Sequence, residues 1–536
     1  LRYLTLNRSL SELGGQEDTE AASKTRSVRH TFHPRRLQVA GDSVVLSAHD
    51  ANCLTNDFTA NQGGNAMHGF EGAPAAEETS NSTGPWWKEL NRYHWFVLTV
   101  AALGWLFDTM DQQIFVLTRV DALRELLTAN GVAPTKAMLG EYAGYATSIF
   151  LLGWAAGGIA FGVLGDKIGR AKTMLLTILI YSVCTGLSAF STCFTDFVVY
   201  RFLTGLGVGG EFAVGVSLVA EVMPSRARPF ALGLLQALSA VGNITAALMS
   251  MGLGRLEAEG GLKDFIVMGV QVKAWRILYV IGILPALLAI VIRRRLKEPE
   301  RWQNLTQEQR AAKKPGSYGE LFGNPRWRKN AIGGLILASA GVIGLWGIGF
   351  FMPDLYDSVL RKSYADSGFT PEKINGLVGF WKGVSSLMLN IGAFFGIYAF
   401  TMVTHYTGRR PAFAVAFVAA MASTIFVFWN LNDFSHLFWM VPMMGFCQLA
   451  LFGGYAIYFP ELFPTHLRST GTSFCYNVGR IVAALGPSVL GLLTSRVYAG
   501  YDEPMRYAGV TMCCVFLIGL MILPFLPETK GQPLPE

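Results

Sequence analysis

Glu221-Val222-Met223-Pro224-Ser225-Arg226-Ala227-Arg228 and Glu461-Leu462-Phe463-Pro464-Thr465-His466-Leu467-Arg468 carry one pattern, E-x-x-P-x-x-x-R, 240 positions apart. Each copy closes a long apolar run. A second pair keeps the spacing: Asp166-Lys167-Ile168-Gly169-Arg170 and His405-Tyr406-Thr407-Gly408-Arg409 lie 239 positions apart. Two motifs repeated at one offset imply a chain built from two similar halves. In a membrane protein, that is the construction of a secondary transporter.

The composition agrees with a membrane setting. Of 536 residues, 51% are apolar and 15% charged, against about 25% charged in a soluble protein. The net charge of +7 is spread over short loops rather than gathered in a groove or stripe, which argues against nucleic acid as a partner. The seven cysteines show neither metal-ligand spacing nor a disulfide framework and read as small buried apolar side chains. No Ser/His/Asp or Cys/His arrangement, metal-ligand cluster or phosphate loop is visible, so no enzyme, cofactor or metal is expected. Residues 1–85 are polar, basic around Arg26 to Arg36, and lack a sustained apolar run. They are expected to form a disordered cytoplasmic tail. Residues 1–66 precede the first methionine, Met67, and read as an over-extended gene model or a dispensable tail.

A bilayer span needs about 20 mostly apolar residues. Twelve stretches qualify, at roughly 94–118, 142–164, 172–192, 197–219, 229–252, 275–292, 331–352, 373–400, 411–430, 436–459, 470–494 and 506–526. The expected fold is an all-α membrane protein of twelve transmembrane helices in two pseudo-symmetric six-helix bundles, 86–292 and 331–527. A charged connector at 293–330 joins them, and 528–536 forms a short tail. Lys/Arg bias sets orientation: with the connector cytoplasmic, so are the loops carrying Lys167, Arg170, Arg226, Arg228, Arg409 and Arg468. Both termini are then cytoplasmic, and the chain is expected as a monomer in the plasma or inner membrane. Trp86-Trp87, Trp95 and Trp275-Arg276 read as interfacial anchors.

These features together resemble the major facilitator superfamily over essentially all of residues 86–536. Gly162-Val-Leu-Gly-Asp166-Lys167-Ile-Gly169-Arg170 looks like its signature loop, and Arg201-Phe-Leu-Thr-Gly205-Leu-Gly207-Val-Gly209 resembles its R-x-x-x-G-x-G motif. The E-x-x-P-x-x-x-R pair, Glu298-Pro-Glu-Arg301-Trp302 and Pro527-Glu-Thr-Lys-Gly531 resemble the sugar-porter-like branch. The resemblance implies that Asp166, Gly169, Arg170, Glu221, Arg228, Glu461 and Arg468 form a network closing the cytoplasmic side. The second-half loop departs from the pattern, with His405 where an acid is expected and Tyr406 where a base is expected. The latch should therefore be asymmetric, with the first half dominating.

The loop chemistry agrees. A tight turn needs Gly169, and a carboxylate at Asp166 can be stabilised by a helix N-terminus or a neighbouring arginine. Gly205 and Gly209, one turn apart, give a flat face for close helix packing.

The remaining charges lie inside the expected spans. Asp108 and Asp111 share a face of the first span, Arg201 and Glu211 lie in the fourth, Lys382 in the eighth, and Arg480 with Asn477 in the eleventh. A charge at mid-bilayer costs about 2.5–3.5 kcal/mol on insertion scales. These groups must therefore face one another or a polar cavity. A proton-coupled carrier needs a carboxylate that binds and releases H⁺; Asp108, Asp111 and Glu211 are the candidates, Asp108 first. An anionic substrate needs a fixed cation, and Arg480 can hold a carboxylate with two parallel hydrogen bonds. Asn477, Arg201 and Lys382 join it as candidate substrate contacts. Gln112, Gln113, Gln236, Asn243, Trp346, Asn390, Gln448 and Tyr455 could line the cavity. The span 1 acids and the span 11 motif look like those of carriers for sialic, aromatic or other carboxylic acids. The expected function is proton-coupled symport of a small organic anion. A neutral sugar or polyol symporter is the alternative, and a non-transporting nutrient sensor is less favoured because no signalling module is visible.

Overall fold

Gly169 and Gly408 interrupt the chain at matching places. Their φ angles are +111° and +102°, a region that side chains with a Cβ rarely adopt, so one helix ends and the next begins at a sharp angle. In the computed structural model, residues 84–258, 261–262, 266–267, 270–303, 315–349, 352–364, 368–483 and 486–535 are described. The tail expected at 1–85 lies outside them except for its last two residues.

The first half contains α1 (Arg92–Ala129), α2 (Lys136–Ile168), α3 (Arg170–Ser188), α4 (Phe194–Val222), α5 (Arg228–Ala258), α6 (Ala274–Ile281) and α7 (Pro285–Arg295). Asn91 caps α1 by accepting from His94 N at 2.8 Å, and the Thr135 hydroxyl caps α2. Before α6 lies a short antiparallel hairpin, β1 (Ile266–Val267) with β2 (Val270–Gln271). The connector carries α8 (Glu300–Gln303) and α9 (Tyr318–Gly323). The second half continues with α10 (Pro325–Ile343), α11 (Met352–Tyr364), α12 (Pro371–Thr407), α13 (Arg409–Asn430), α14 (Leu437–Glu461), α15 (Arg468–Ser473), α16 (Gly479–Ala483), α17 (Gly486–Leu492), α18 (Pro504–Met512) and α19 (Val515–Ile522).

Among the described residues, nine helical stretches are long and apolar enough to cross a membrane. The expected spans at 94–118, 331–352 and 470–494 fall outside that set for local reasons. The first carries Asp108 and Asp111. The other two contain π turns at Gly344–Ile348 and Phe474–Val478 and positions outside the described residues.

Glycines position the halves internally. A Cβ on Gly153 or Gly157 of α2 would overlap the carbonyls of Phe202 and Leu206, and one on Gly205 or Gly209 of α4 those of Phe150 and Trp154. Gly392 and Gly396 of α12 meet the Pro442 and Phe446 carbonyls, and Gly445 of α14 meets that of Leu389. The α2 and α12 glycines are offset by 239 positions and Gly205 and Gly445 by 240, so the repeat written in the loops also governs helix packing. Arg276 and Arg506 repeat as well. Arg276 donates to Ala189 O at 2.6 Å beyond α3, and Arg506 donates to Phe428 O at 2.6 Å and Leu431 O at 3.0 Å at the end of α13. Trp275 is therefore no interfacial anchor. It is buried and donates its indole N–H to Glu125 at 2.7 Å, which also binds Arg276.

Candidate functional site

A cavity of about 450 Å³ lies between the halves, within the range of small-molecule sites. Gln112, Gln113, Gln236 and Asn243 line it from α1 and α5, and Lys382 and Asn390 from α12. Asn243 donates to Asn390 at 2.9 Å, tying the halves along one wall. Two other expected lining residues are committed elsewhere: Gln448 donates to Thr424 at 2.6 Å, and Tyr455 to Leu337 O at 2.9 Å. The Trp346 side chain lies outside the described residues.

Arg480 stands on the cavity wall, half-buried. Its guanidinium carbon is 3.9 Å from the Trp154 ring centroid and 4.1 Å from that of Tyr476. It donates to Asn477 Oδ1 at 3.0 Å. Asn477 is fixed in turn by donating to Gly209 O and Ser473 O, each at 3.2 Å. The π turn at Phe474–Val478 presents Tyr476 and Asn477 together. Among the described residues Arg480 has no salt-bridge partner within 4 Å, so its charge is held by aromatic faces and one amide.

Asp108 and Glu211 are buried behind this wall and do not line the cavity. None of their carboxylate oxygens has a hydrogen-bond partner among the described residues. A Cβ on Gly104, one turn before Asp108, would overlap Glu211 Oε1, so the two acids approach the same stretch of α1. Asp111 and Arg201 are different. Thr185 donates to Asp111 at 2.6 Å, and Arg201 Nη1 lies 3.5 Å from the same oxygen. Arg201 also donates to Ser188 and Thr204 and stacks 4.7 Å from the Tyr279 centroid. It is fully buried in this pair and absent from the cavity wall. As a substrate contact it is therefore corrected: desolvating a guanidinium requires a partner, and Asp111 supplies it.

At the end of the bundle marked by the repeated loops, the halves are joined by charge. Asp166 pairs with Arg170 at 3.0 Å and accepts from Ser469 N at 3.1 Å, Thr470 N at 2.8 Å and the Thr470 hydroxyl at 2.6 Å. It thus caps α15 across the interface while binding an arginine of its own half. Glu221 Oε1 takes Arg170 at 3.0 Å and Arg468 at 2.7 Å, and all three side chains are buried. Arg170 also donates to the Thr465 carbonyl of the second half. Glu461 stays within the second half, bidentate to Arg409 at 2.9 and 3.0 Å and accepting from Thr529 at 2.6 Å. The His405 ring packs at a tilt of 49° against Phe230, with centroids 4.8 Å apart. The asymmetry expected from His405 is present among the described residues: Asp166 and Glu221 reach across, and Glu461 does not. Arg228 is buried at the start of α5, its backbone N–H bonded to Pro224 O at 2.9 Å. Glu298 and Glu528 do equivalent work beside the two positive-φ glycines. Glu298 accepts from Ala171 N and Lys172 N, Glu528 from Arg409 N and Arg410 N, at 2.8–3.1 Å.

Trp105, Trp154 and Arg119 are among the cavity-wall residues absent from the sequence expectations. The signal for Arg119 was available, since it continues the face of Gln112 and Val116.

Residues 126–487 match the Major Facilitator Superfamily. The chain is 29% identical to the cis,cis-muconate transport protein of Acinetobacter baylyi over 395 residues, 73% of this chain and 86% of that one. It is 28% identical to the sialic acid transporter NanX of Escherichia coli over 441 residues, 82% of this chain and 95% of that one. In structure it is similar to the proton:xylose symporter XylE of E. coli, with a TM-score of 0.63 at 15% identity, covering 82% of this chain and 98% of the other. Matched over more than half its length and folded as two related helical halves around a shared cavity, this multi-pass membrane protein belongs to the major facilitator superfamily of transporters.

Proposed function

We propose that the protein is a proton-coupled symporter of a small organic anion, working by alternating access around the cavity. The observation that carries this reading is Arg480: a cation on the cavity wall, stacked between Trp154 and Tyr476, without a salt-bridge partner among the described residues. A carboxylate supplies the missing counter-charge and two parallel acceptors. A neutral sugar offers hydroxyl acceptors but no counter-charge, which ranks the sugar reading second. The relatives named for muconate and sialic acid transport support an organic acid as substrate.

Coupling follows from competition. Asp108 lies within Coulombic reach of Arg480. An ionised Asp108 and a carboxylate in the cavity would compete for the charge of Arg480. When a carboxylate binds, the counter-charge is supplied from the cavity, and two acids facing one cation is costly. Anion binding therefore favours a proton on Asp108 or on its neighbour Glu211, and anion and proton travel together. With the connector cytoplasmic, the Asp166–Arg170–Glu221–Arg468 network acts as the cytoplasmic gate, closed here. Asp111 and Arg201 support the site as a fixed ion pair.

The test uses purified full-length protein in liposomes with a pH-sensitive dye trapped inside. Carboxylic acids and neutral sugars are added outside, beside protein-free liposomes and Arg480→Ala. An acid-specific proton flux absent from both controls supports the symporter. Flux with sugars alone would transfer the assignment to a sugar carrier and leave Arg480 a structural charge.

A further inference from the structure

We infer that the transported anion is a polyhydroxylated acid, a carboxylate on a sugar-like carbon skeleton, whose hydroxyls are read by amides on the cavity wall; this deepens the reading of Arg480 as an anion clamp and rests on it. The wall divides by chemistry. Among the described residues its amides, Gln112, Gln113, Gln236, Asn243 and Asn390, all lie on α1, α5 and α12. The π turn after α10, together with α11 and α14, brings Leu345, Met352, Leu449 and Phe452. Three of the amides are unengaged. Gln112 and Gln113 make no side-chain hydrogen bond among the described residues. Gln236 is 3% exposed, yet its Oε1 has no partner among them either. An acceptor held away from water without a donor is costly. An ionised carboxylate cannot answer it, because it only accepts, whereas a hydroxyl both donates and accepts. A carboxylate for Arg480 and hydroxyls for the glutamines together describe a hydroxylated acid.

The helices keep these groups together. Thr109 of α1 donates to Ser239 O of α5 at 3.1 Å. Gln112 follows Thr109 by one turn, and Gln236 precedes Ser239 by one turn. Gln236 and Asn243 are seven residues apart on α5, about 10 Å along its axis. Asn243 is already engaged with Asn390 at 2.9 Å, which leaves Gln236, Gln112 and Gln113 as the readers. The clamp reaches the same helices through a row of rings. Arg480 rests on Tyr476, Tyr476 stacks on Phe212 at 4.3 Å, and Phe212 meets Trp105 of α1 at 4.5 Å. Trp105 lies two turns before Gln112. The aromatic faces themselves do not separate the candidate acids, since an aromatic ring and the C–H face of a sugar both pack on them. The amides do. A site built to hydrogen-bond a substrate's hydroxyls rejects the analogue that lacks them, because its own polar groups then stay unpaired.

The test measures binding to the purified full-length protein by tryptophan fluorescence, since Trp105 and Trp154 line the cavity. The probes are two pairs of acids similar in size and equal in charge, glucuronate with cyclohexanecarboxylate and gluconate with hexanoate, together with benzoate and glucose. At least one hydroxylated acid should bind about tenfold or more tighter than its partner, the effect of one or two hydrogen bonds. Gln236→Leu should cut that ratio about threefold or more by weakening the hydroxylated acid and sparing its partner. Arg480→Gln should weaken both acids of a pair together. If Gln236→Leu does not fold, Gln112→Leu, at a half-buried position, takes its place with the same expectation. Equal binding within both pairs, no binding, or a preference for benzoate overturns the hydroxyl reading; acids that still bind leave the organic-anion reading standing. A ratio that survives both glutamine substitutions also overturns the hydroxyl reading. Binding of glucose with no acid bound overturns the anion reading itself.

Discussion

Replacing Glu221 by glutamine should loosen the gate without dismantling it. One carboxylate oxygen holds Arg170 at 3.0 Å and Arg468 at 2.7 Å, with all three side chains at 0% exposure. Removing one member of a buried ion pair costs about 3–5 kcal/mol, because the remaining charge stays desolvated. Glutamine keeps an acceptor at that place, so the low end, about 3 kcal/mol, applies. Arg468 comes from the other half, so most of this cost falls on the closed arrangement alone. At 1.4 kcal/mol per tenfold, the closed state loses a factor of about one hundred. Asp166 still accepts from Ser469 and Thr470, so the halves continue to meet. The backbone N–H groups of Ser469 and Thr470 make the assay direct: they bond across the interface, and opening exposes them to exchange. Hydrogen–deuterium exchange on the parent protein and Glu221→Gln should show these amides exchanging about one hundred times faster in the variant. Glu461→Gln removes the corresponding acid of the second half, whose partner Arg409 lies in that half, and should leave them unchanged. Equal acceleration by the two substitutions, or none with Glu221→Gln, would refute the asymmetric latch.

Three further outcomes follow from the same geometry. Arg480→Lys keeps a charge but loses the planar stack between Trp154 and Tyr476 and the bidentate fork; anion affinity should fall about ten- to a hundredfold, read by fluorescence titration, and an unchanged affinity would remove the clamp. Gly158→Ala places a Cβ onto the Asn477 amide and should cost about 1–3 kcal/mol of overpacking, chiefly in the closed state; faster exchange at Ser469 checks it, and no change would show that the contact yields freely. Glu528 concerns pH: burial pulls its carboxyl upward, but the backbone N–H groups of Arg409, Arg410 and Lys530 outweigh burial and hold it below the usual glutamate value. Its stabilising effect is thus complete above the ordinary glutamate range near about 4.3 and is lost as pH falls through the lowered value. Proteolysis of the C-terminal segment against pH should show this loosening in the parent protein and a flat profile in Glu528→Gln; matching profiles would discard the assignment.

The two-half design was legible because its signals are local. A glycine at a tight turn and a proline after an apolar run are decided within a few residues, and each recurs at matching places in the two halves. The two partners of Asp166, a helix N-terminus and an arginine, followed from its chemistry. Which buried charge meets which did not follow. Asp111 and Arg201 are separated by 90 positions, and their meeting depends on the rotation of α1, which packs on α5 at Gly242 and Thr109 and on α4 at Gly104. The lone carboxylates Asp108 and Glu211 were candidates for the same reason that Arg201 was, a charge in an apolar run; only the fold separates the paired from the unpaired. Arg119 was lost by ending the first span at 118. Apolar count marks where lipid contact stops, but α1 runs to Ala129, and Arg119, just past the expected end, lines the cavity. Trp275 misled in the opposite direction, because an aromatic beside an arginine fits the interface pattern until Glu125 is placed between them.

The stretch from Arg468 to Arg480 joins gate to cavity. Arg468, Ser469 and Thr470 bind Glu221 and Asp166 across the interface. Ser473 and Asn477 then lie against the glycine face of α2, where Ser473 donates to the Gly158 carbonyl and a Cβ on Gly162 would stand 2.6 Å from Ser473 Cβ. Arg480 follows one turn later. Every contact on this line belongs to the closed arrangement, and a glycine-deep fit offers little room for gradual adjustment. The segment therefore stays seated on α2 or leaves it. A substrate can shift that choice only by the difference between its affinities for the two arrangements. Trp154, the first-half partner of Arg480, lies one turn from Gly158 on α2. An anion that draws Arg480 away from Trp154 therefore acts on the same seam that Glu221 and Asp166 hold shut, and an anion that leaves the stack undisturbed has no hold on the gate. Under the proposed function, binding at Arg480 and release at Arg468 are two ends of one helical contact, so substitutions at Gly158 and Glu221 should change transport rate even though neither residue lines the cavity.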